Sequence, residues 1–147
     1  MTTILVLHGP NLATLGRRQP EIYGTTTLAE INATLTRTAA QWGWEIITFQ
    51  SNTEGAIIDV IEERAAQTHG VLVNPGALTH YGLALRDALA ALTVPIVEVH
   101  LTNIHAREQW RRSSVTAEVA RGVVAGFGWH SYVIGLAAIH EILTDDR

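Results

Sequence analysis

The chain has 147 residues, 47% of them hydrophobic and 16% charged, with a net charge of −4 and no cysteine. That is the make-up of one globular domain over 1–147 with a real core, and it excludes disulfide and thiolate chemistry. The negative balance argues against a nucleic-acid partner, and the ten cations are all Arg, so imine and pyridoxal phosphate chemistry, which need a Lys amine, are excluded too.

Ile4 to Leu7 is an unbroken apolar run, which predicts a strand buried on both faces of a parallel sheet. The chain then breaks at Gly9-Pro10. Residues 8 to 26 read as a long loop bracketed by Gly16 and Gly24, a candidate lid. Thr27-Leu28-Ala29-Glu30 is a capping box that opens a helix running to about Trp42 and stopping at Gly43. Leu28, Ile31, Leu35, Ala39 and Trp42 form its apolar stripe.

Glu45 to Gln50 reads as the second strand. Ser51-Asn52-Thr53-Glu54 offers a second capping box, before a helix marked by Ile57, Ile58, Ile61 and Ala65 and ended near Gly70. Val71 to Asn74 is the third strand, followed by a Pro75-Gly76 turn and a helix from about Thr79 to Leu92. Pro95 to Val99 is the fourth strand, since proline is tolerated at a strand's first residue. Residues 100 to 116 form a polar connection with a short helical piece around Ala106 to Arg111. Val119 to Gly126 reads as the fifth strand and Trp129 to Leu143 as the last helix.

Strands alternating with helices imply a parallel sheet covered on both faces. Five such units predict an α/β, flavodoxin-like, doubly wound sheet of order 2-1-3-4-5. Its topological switch lies between strands 1 and 3, and ligands bind beyond the carboxyl ends there. The segments Gly9-Pro10-Asn11, Asn74-Pro75-Gly76 and Glu98-Val99-His100 should therefore meet at one mouth. No apolar run approaches about 18 residues and no positively flanked apolar segment opens the chain. Neither a membrane span nor a secretion signal is expected, which fits a cytoplasmic protein.

The chemistry at that mouth is readable in part. Tyr23 follows Arg17 and Arg18 closely, and adjacent guanidiniums favour a phenolate over a phenol. The same residues also suit a solvated loop with a packing tyrosine. Glu98 and His100 are two apart on a strand and share a face, so the carboxylate can orient the ring and make it a general acid. A hydrogen-bonded histidine at a strand end is the alternative. Asn11 and Asn74 can hold a polarised oxygen or a water, or serve as turn residues. His80 can contact substrate or cap locally. Backbone N–H groups at Leu101 and Thr102, with the Thr102 hydroxyl, can cradle a carboxylate. Arg107 and Arg111, spaced i, i+4, suit an anionic substrate or a solvated basic face. Phosphate-loop, dinucleotide-binding and nucleophile-elbow patterns are absent, and no histidine has metal-site spacing, so neither cofactor nor metal is expected.

Taken together, His8-Gly9-Pro10-Asn11-Leu12, Leu15 through Gly24, Phe49 through Gly55, Asn74 through His80, Leu85 through Leu89 and Glu98 through Glu108 resemble type II 3-dehydroquinate dehydratases. The similarity runs through the whole chain in order. It implies the flavodoxin-like fold and cofactor-free removal of water from the anionic substrate 3-dehydroquinate, giving 3-dehydroshikimate. By that resemblance Tyr23 is the base, Arg18 favours its phenolate, and Asn11 helps hold the enolate oxygen. His100, oriented by Glu98, protonates the leaving hydroxyl. Asn74, His80 and Arg111 bind ring hydroxyls, Leu101 and Thr102 bind the carboxylate, and Asp87 comes from a neighbouring subunit. Trimers grouped into a homododecamer are implied, serving either aromatic biosynthesis or quinate breakdown.

The chain departs from the family pattern at Gln19, Ala13, Thr102 and Gly82, where Glu, Asn, Ser and Ser are usual. None removes a presumed catalytic group. A flavodoxin-like module that binds a flavin or nucleotide, or a homologue without activity, are the competing readings.

Overall fold

In a computed structural model, which describes residues 1–145, the first apolar run forms β1, Thr3–His8, and every one of its residues is buried. The other strands are β2 (Glu45–Gln50), β3 (Gly70–Asn74), β4 (Ile96–His100) and β5 (Gly122–Ala125). All pair in parallel, in the order β2-β1-β3-β4-β5. This is the order expected from the sequence. The central strands β1, β3 and β4 are buried throughout and the edge strands are not.

The two-residue strand period divides the core into two layers. Ile4 and Val6 of β1 pack with Leu35 of α2 (Leu28–Ala40) and Leu136 of α5 (His130–Thr144). Leu5 and Leu7 point the other way, toward Ile61 of α3 (Glu54–Arg64) and Leu89 of α4 (Leu83–Ala90). Full burial of each such side chain contributes about 1.5–3 kcal/mol. A short helix α1 (Pro20–Tyr23) lies in the long loop after β1, which also contains a 3-10 turn at Leu12–Thr14.

Local chemistry accounts for where the elements begin. The Thr27 hydroxyl accepts from the Glu30 N–H at 3.2 Å, the expected cap. The second capping box does not form. Ser51 Oγ instead accepts from the Thr53 N–H at 3.0 Å, a local turn bond that competes with capping. Glu54 is drawn across to α4, where Oε2 accepts from the Leu85 N–H at 3.0 Å and satisfies an orphan donor of that helix's first turn.

Other boundaries also moved. Gly76–His80 is a 3-10 turn and α4 starts at Leu83, because the Thr79 side chain is pulled into the core by polar partners. The helix expected to reach Trp42 stops at Ala40. In place of one helical piece at 106–111 there are 3-10 turns at Ile104–Ala106 and Gln109–Arg112, with Arg107 extended between them. Residues Ala117–Val119 form a 3-10 turn, and β5 begins only at Gly122.

The loops leaving β1 and β3 are pressed together at the carboxyl end of the sheet. Gly9 N–H donates to the Asn74 carbonyl at 2.8 Å. A Cβ at Gly9 would sit 2.2 Å from the Pro75 carbonyl oxygen. Gly9→Ala is therefore expected to lower stability by about 1–3 kcal/mol, the range for overpacking. Urea denaturation checks this; an unchanged midpoint would show that the two loops can separate freely.

Candidate active site

The carboxyl ends of β1, β3 and β4 open onto a cleft, as the topological switch requires. It is lined by Asn11, Arg18, Tyr23, Asn74, His80, His100, Leu101, Thr102, Arg107 and Arg111, among others. Every sequence-predicted site residue except Arg17, Glu98 and Asp87 reaches this wall. Glu98 lies beneath it, behind His100. Asp87 lies on α4, exposed, with Oδ1 3.5 Å from Arg86 Nη1.

The cleft's charge differs from that of the whole chain. Arg18, Arg107 and Arg111 line it, and no Asp or Glu does among the described residues. Within a chain of net charge −4, this concentrates positive potential in a concave surface. A small anion is the ligand such a surface favours. Among the described residues no group of three or more His, Asp or Glu stands close enough to hold a metal ion.

Tyr23 closes α1, half-buried at the cleft. The Arg18 guanidinium carbon lies 4.8 Å from its ring centroid, and that of Arg107 lies 5.4 Å away. The sequence pointed to Arg17 and Arg18 as the flanking pair. Arg17 is exposed and does not line the cleft. Its place is taken by Arg107, more than eighty residues along the chain, which only tertiary structure brings to Tyr23. Arg107 Nη1 also donates to the Thr102 hydroxyl at 3.2 Å, leaving that hydroxyl's own proton for another acceptor.

Asn11 sits in a left-handed conformation, φ 71°, at the start of the Leu12–Thr14 turn. Its N–H donates to Asn52 Oδ1 at 2.9 Å. Gln50 Nε2 donates to both Asn52 Oδ1, at 3.2 Å, and the Gly9 carbonyl, at 3.1 Å. The polar run after β2 thus holds the loop that carries Asn11. Opposite, His80 Nδ1 donates to the Ser113 carbonyl at 2.7 Å, and the ring meets Trp110 edge-on. Arg111 is held by Glu108 and lies over Trp110, its guanidinium carbon 4.1 Å from the ring centroid.

His100 and Glu98 share the face of β4 turned toward Thr79. His100 Nε2 and Glu98 Oε2 are 2.9 Å apart, and both residues are buried. With Nε2–H committed to the carboxylate, Nδ1 is the ring atom left for the cleft. Glu98 also accepts from the hydroxyls of Thr79, at 3.1 Å, Ser114, at 3.0 Å, and Thr116. Burial pushes this carboxyl's pKa up. The bonds from His100, Thr116 and Ser114 and the His100 charge outweigh that and hold it below the usual range. Ser114 and Thr116 were not singled out in the sequence. Their only signal there is the hydroxyl residues Ser113, Ser114 and Thr116, interrupted by Val115, common in any polar loop.

This arrangement sets an acid dependence. A carboxyl whose folded pKa is depressed contributes stability that is present above its unfolded pKa and lost as pH falls through the folded one. Thr116→Val keeps the shape and removes one bond to the carboxylate. It is expected to cost about 1.5–3 kcal/mol near neutral pH. It also shrinks the depression, so the acid-side loss is complete at a higher pH than in the parent. Urea melts from neutrality down through and below the ordinary carboxylate range measure both; coincident curves would contradict the assignment.

Comparison with known proteins places the chain. The family model for class II dehydroquinases matches residues 2–140. A 3-dehydroquinate dehydratase of Roseiflexus castenholzii is 56% identical over 133 residues, covering 90% of this chain and 85% of the relative. The crystal structure of a type II dehydroquinase from Butyrivibrio crossotus superposes with a TM-score of 0.92 at 39% identity, covering 95% of this chain and 97% of that one. A type II dehydroquinase from Propionibacterium acnes gives 0.90 at 40% identity, over 99% and 98%. The Glu98–His100 pair, the Tyr23 ring between guanidiniums and this likeness along almost the whole chain agree: the chain belongs to the class II dehydroquinase family.

Proposed function

We propose that this chain is a 3-dehydroquinate dehydratase, a hydro-lyase that converts 3-dehydroquinate to 3-dehydroshikimate through an enolate, all within one domain. The observation that supports this most is the pairing across one cationic cleft of Tyr23, beside Arg18 and Arg107, with His100, held by Glu98.

The chemistry follows from those positions. Tyr23, as phenolate, takes the proton from the carbon next to the ketone. The bond's electron pair moves onto the ketone oxygen, and Asn11 helps hold the resulting enolate. The pair then returns to form a carbon–carbon double bond as the hydroxyl leaves. His100 gives that hydroxyl a proton, so water departs. Arg18 and Arg107 place positive charge beside the Tyr23 ring, where negative charge spreads as the proton moves. The Leu101 and Thr102 N–H groups and the Thr102 hydroxyl take the substrate carboxylate, and Asn74, His80 and Arg111 take ring hydroxyls.

Asp87 completes the cleft of a neighbouring subunit in a trimer-based homododecamer. Its exposure, its absence from the lining of its own cleft and the exposed Tyr81 and Leu83 close by on the chain support that placement. Among the described residues no helix is long and apolar enough to cross a membrane, and the lack of cysteine suits the cytoplasm. The ultraviolet absorbance of the conjugated enone product tests the activity directly. A purified protein that produces none but carries a flavin spectrum would establish the binding-module reading instead.

A further inference from the structure

We infer that the buried series Tyr132, His8 and Asn32, which lies under the cleft without lining it, positions the Asn74 carboxamide for substrate. The inference rests on the reading of the cleft as the 3-dehydroquinate site. His8 ends β1 and Asn74 ends β3, and the two are register partners on adjacent parallel strands. Their side chains therefore project to the same face, the one covered by α2 and α5. Both are buried.

Three polar side chains meet on that face. Tyr132, in the first turn of α5, is wholly buried, and its hydroxyl is 2.8 Å from His8 Nδ1. Asn32, on α2, places Oδ1 2.8 Å from His8 Nε2. The Asn74 side chain shares this buried face and stands close enough to the Tyr132 hydroxyl to oppose, in small part, the rise that burial gives the phenol's pKa. Asn74 Oδ1 in turn accepts from the Gly76 N–H at 3.1 Å.

Counting protons gives this series a direction. Asn32 Oδ1 has none to give, so His8 carries its proton on Nε2. Burial keeps the ring neutral, with a pKa of about 4, against a smaller opposing pull from Asn32. Nδ1 is then an acceptor and receives the hydrogen bond that the Tyr132 hydroxyl donates. The Tyr132 oxygen can now only accept, so Asn74 must turn an N–H toward it. Burial raises the Tyr132 pKa, so the phenol keeps its proton. The carboxamide is thus fixed from both ends: its oxygen faces Gly76 and one N–H faces Tyr132. The other N–H is left for the cleft, a donor for a substrate hydroxyl.

Phenylalanine at 132 and an apolar residue at 8 would fill the same space without desolvating polar groups. A buried polar network that ends at a binding residue, and is satisfied throughout, imposes one geometry on it.

A double-mutant cycle distinguishes positioning from mere packing. Tyr132→Phe is expected to raise KM about tenfold with kcat within about twofold, because the lost interaction is made equally in ground and transition states. In an Asn74→Ala background, the same change should alter KM by less than about twofold. Asn32→Ala, at the half-buried far end, is a second variant in case Tyr132→Phe does not fold. It should raise KM in the same direction and lose its effect in the same background. An equal KM effect with and without Asn74, an unchanged KM in both single variants, or a neutral Asn74→Ala would each overturn the inference. Turnover of 3-dehydroquinate by the parent protein is measured alongside, so failure of the functional reading is seen separately.

Discussion

Tyr23→Phe is expected to reduce turnover of 3-dehydroquinate by about 10³-fold or more while substrate still binds. The substitution removes one oxygen. The ring stays, and with it the contact to the Arg18 and Arg107 guanidiniums at 4.8 and 5.4 Å. Such contacts depend on the ring face, which Phe retains, so the packing of α1 against the cleft survives. What disappears is the oxygen that the proposed function makes the base. General-base catalysis accounts for about 10²–10⁴-fold, and the neighbouring histidines are held elsewhere, His100 by Glu98 and His80 by the Ser113 carbonyl. Enone absorbance gives the rate, and calorimetric titration with substrate gives the affinity. Turnover within tenfold of the parent would show that the base lies elsewhere. A large loss of affinity with kcat retained would assign Tyr23 to binding alone.

The order of the sheet was legible because its signals are local. An unbroken apolar strand, helices capped at Thr27 and spaced by glycines, and the switch between strands 1 and 3 all follow from periodicity within short windows. That order alone brings Asn11, Asn74 and His100 to one mouth. The Glu98–His100 pair was legible for the same reason, since residues two apart on a strand share a face whatever the tertiary structure.

Contacts between distant segments were not legible in this way. Arg107 reaches Tyr23 because two 3-10 turns, not one helix, fold the segment after β4. An i, i+4 reading of Arg107 and Arg111 gave the right destination for both guanidiniums by the wrong geometry. Glu54 looked like half of a capping box because the motif is local, yet it caps another helix. Thr79, Ser114 and Thr116 converge on Glu98 from separate elements, and Tyr132 reaches His8 across 124 positions. Hydroxyl residues are common enough that only their partners identify these.

His100→Ala is expected to slow loss of the hydroxyl by about 10²–10⁴-fold while slowing exchange of the carbon-bound proton far less. The two steps use different groups at different positions. In the proposed mechanism proton abstraction uses Tyr23, the nearby guanidiniums and an enolate stabiliser, and the substitution touches none of them. Departure of hydroxide, by contrast, is poor without a proton donor, and the proposed donor is His100, held by Glu98. The variant should fold, because Glu98 keeps the hydroxyls of Thr79, Ser114 and Thr116 when the ring is removed. In deuterated water the enolate then returns to substrate more often than it goes forward. Recovered 3-dehydroquinate should carry deuterium well before product accumulates, which mass spectrometry of quenched samples detects. Equal slowing of exchange and elimination would remove His100 from the second step. It would mean that the imidazolium acts on the enolate itself, with Glu98 setting its charge and not only its orientation.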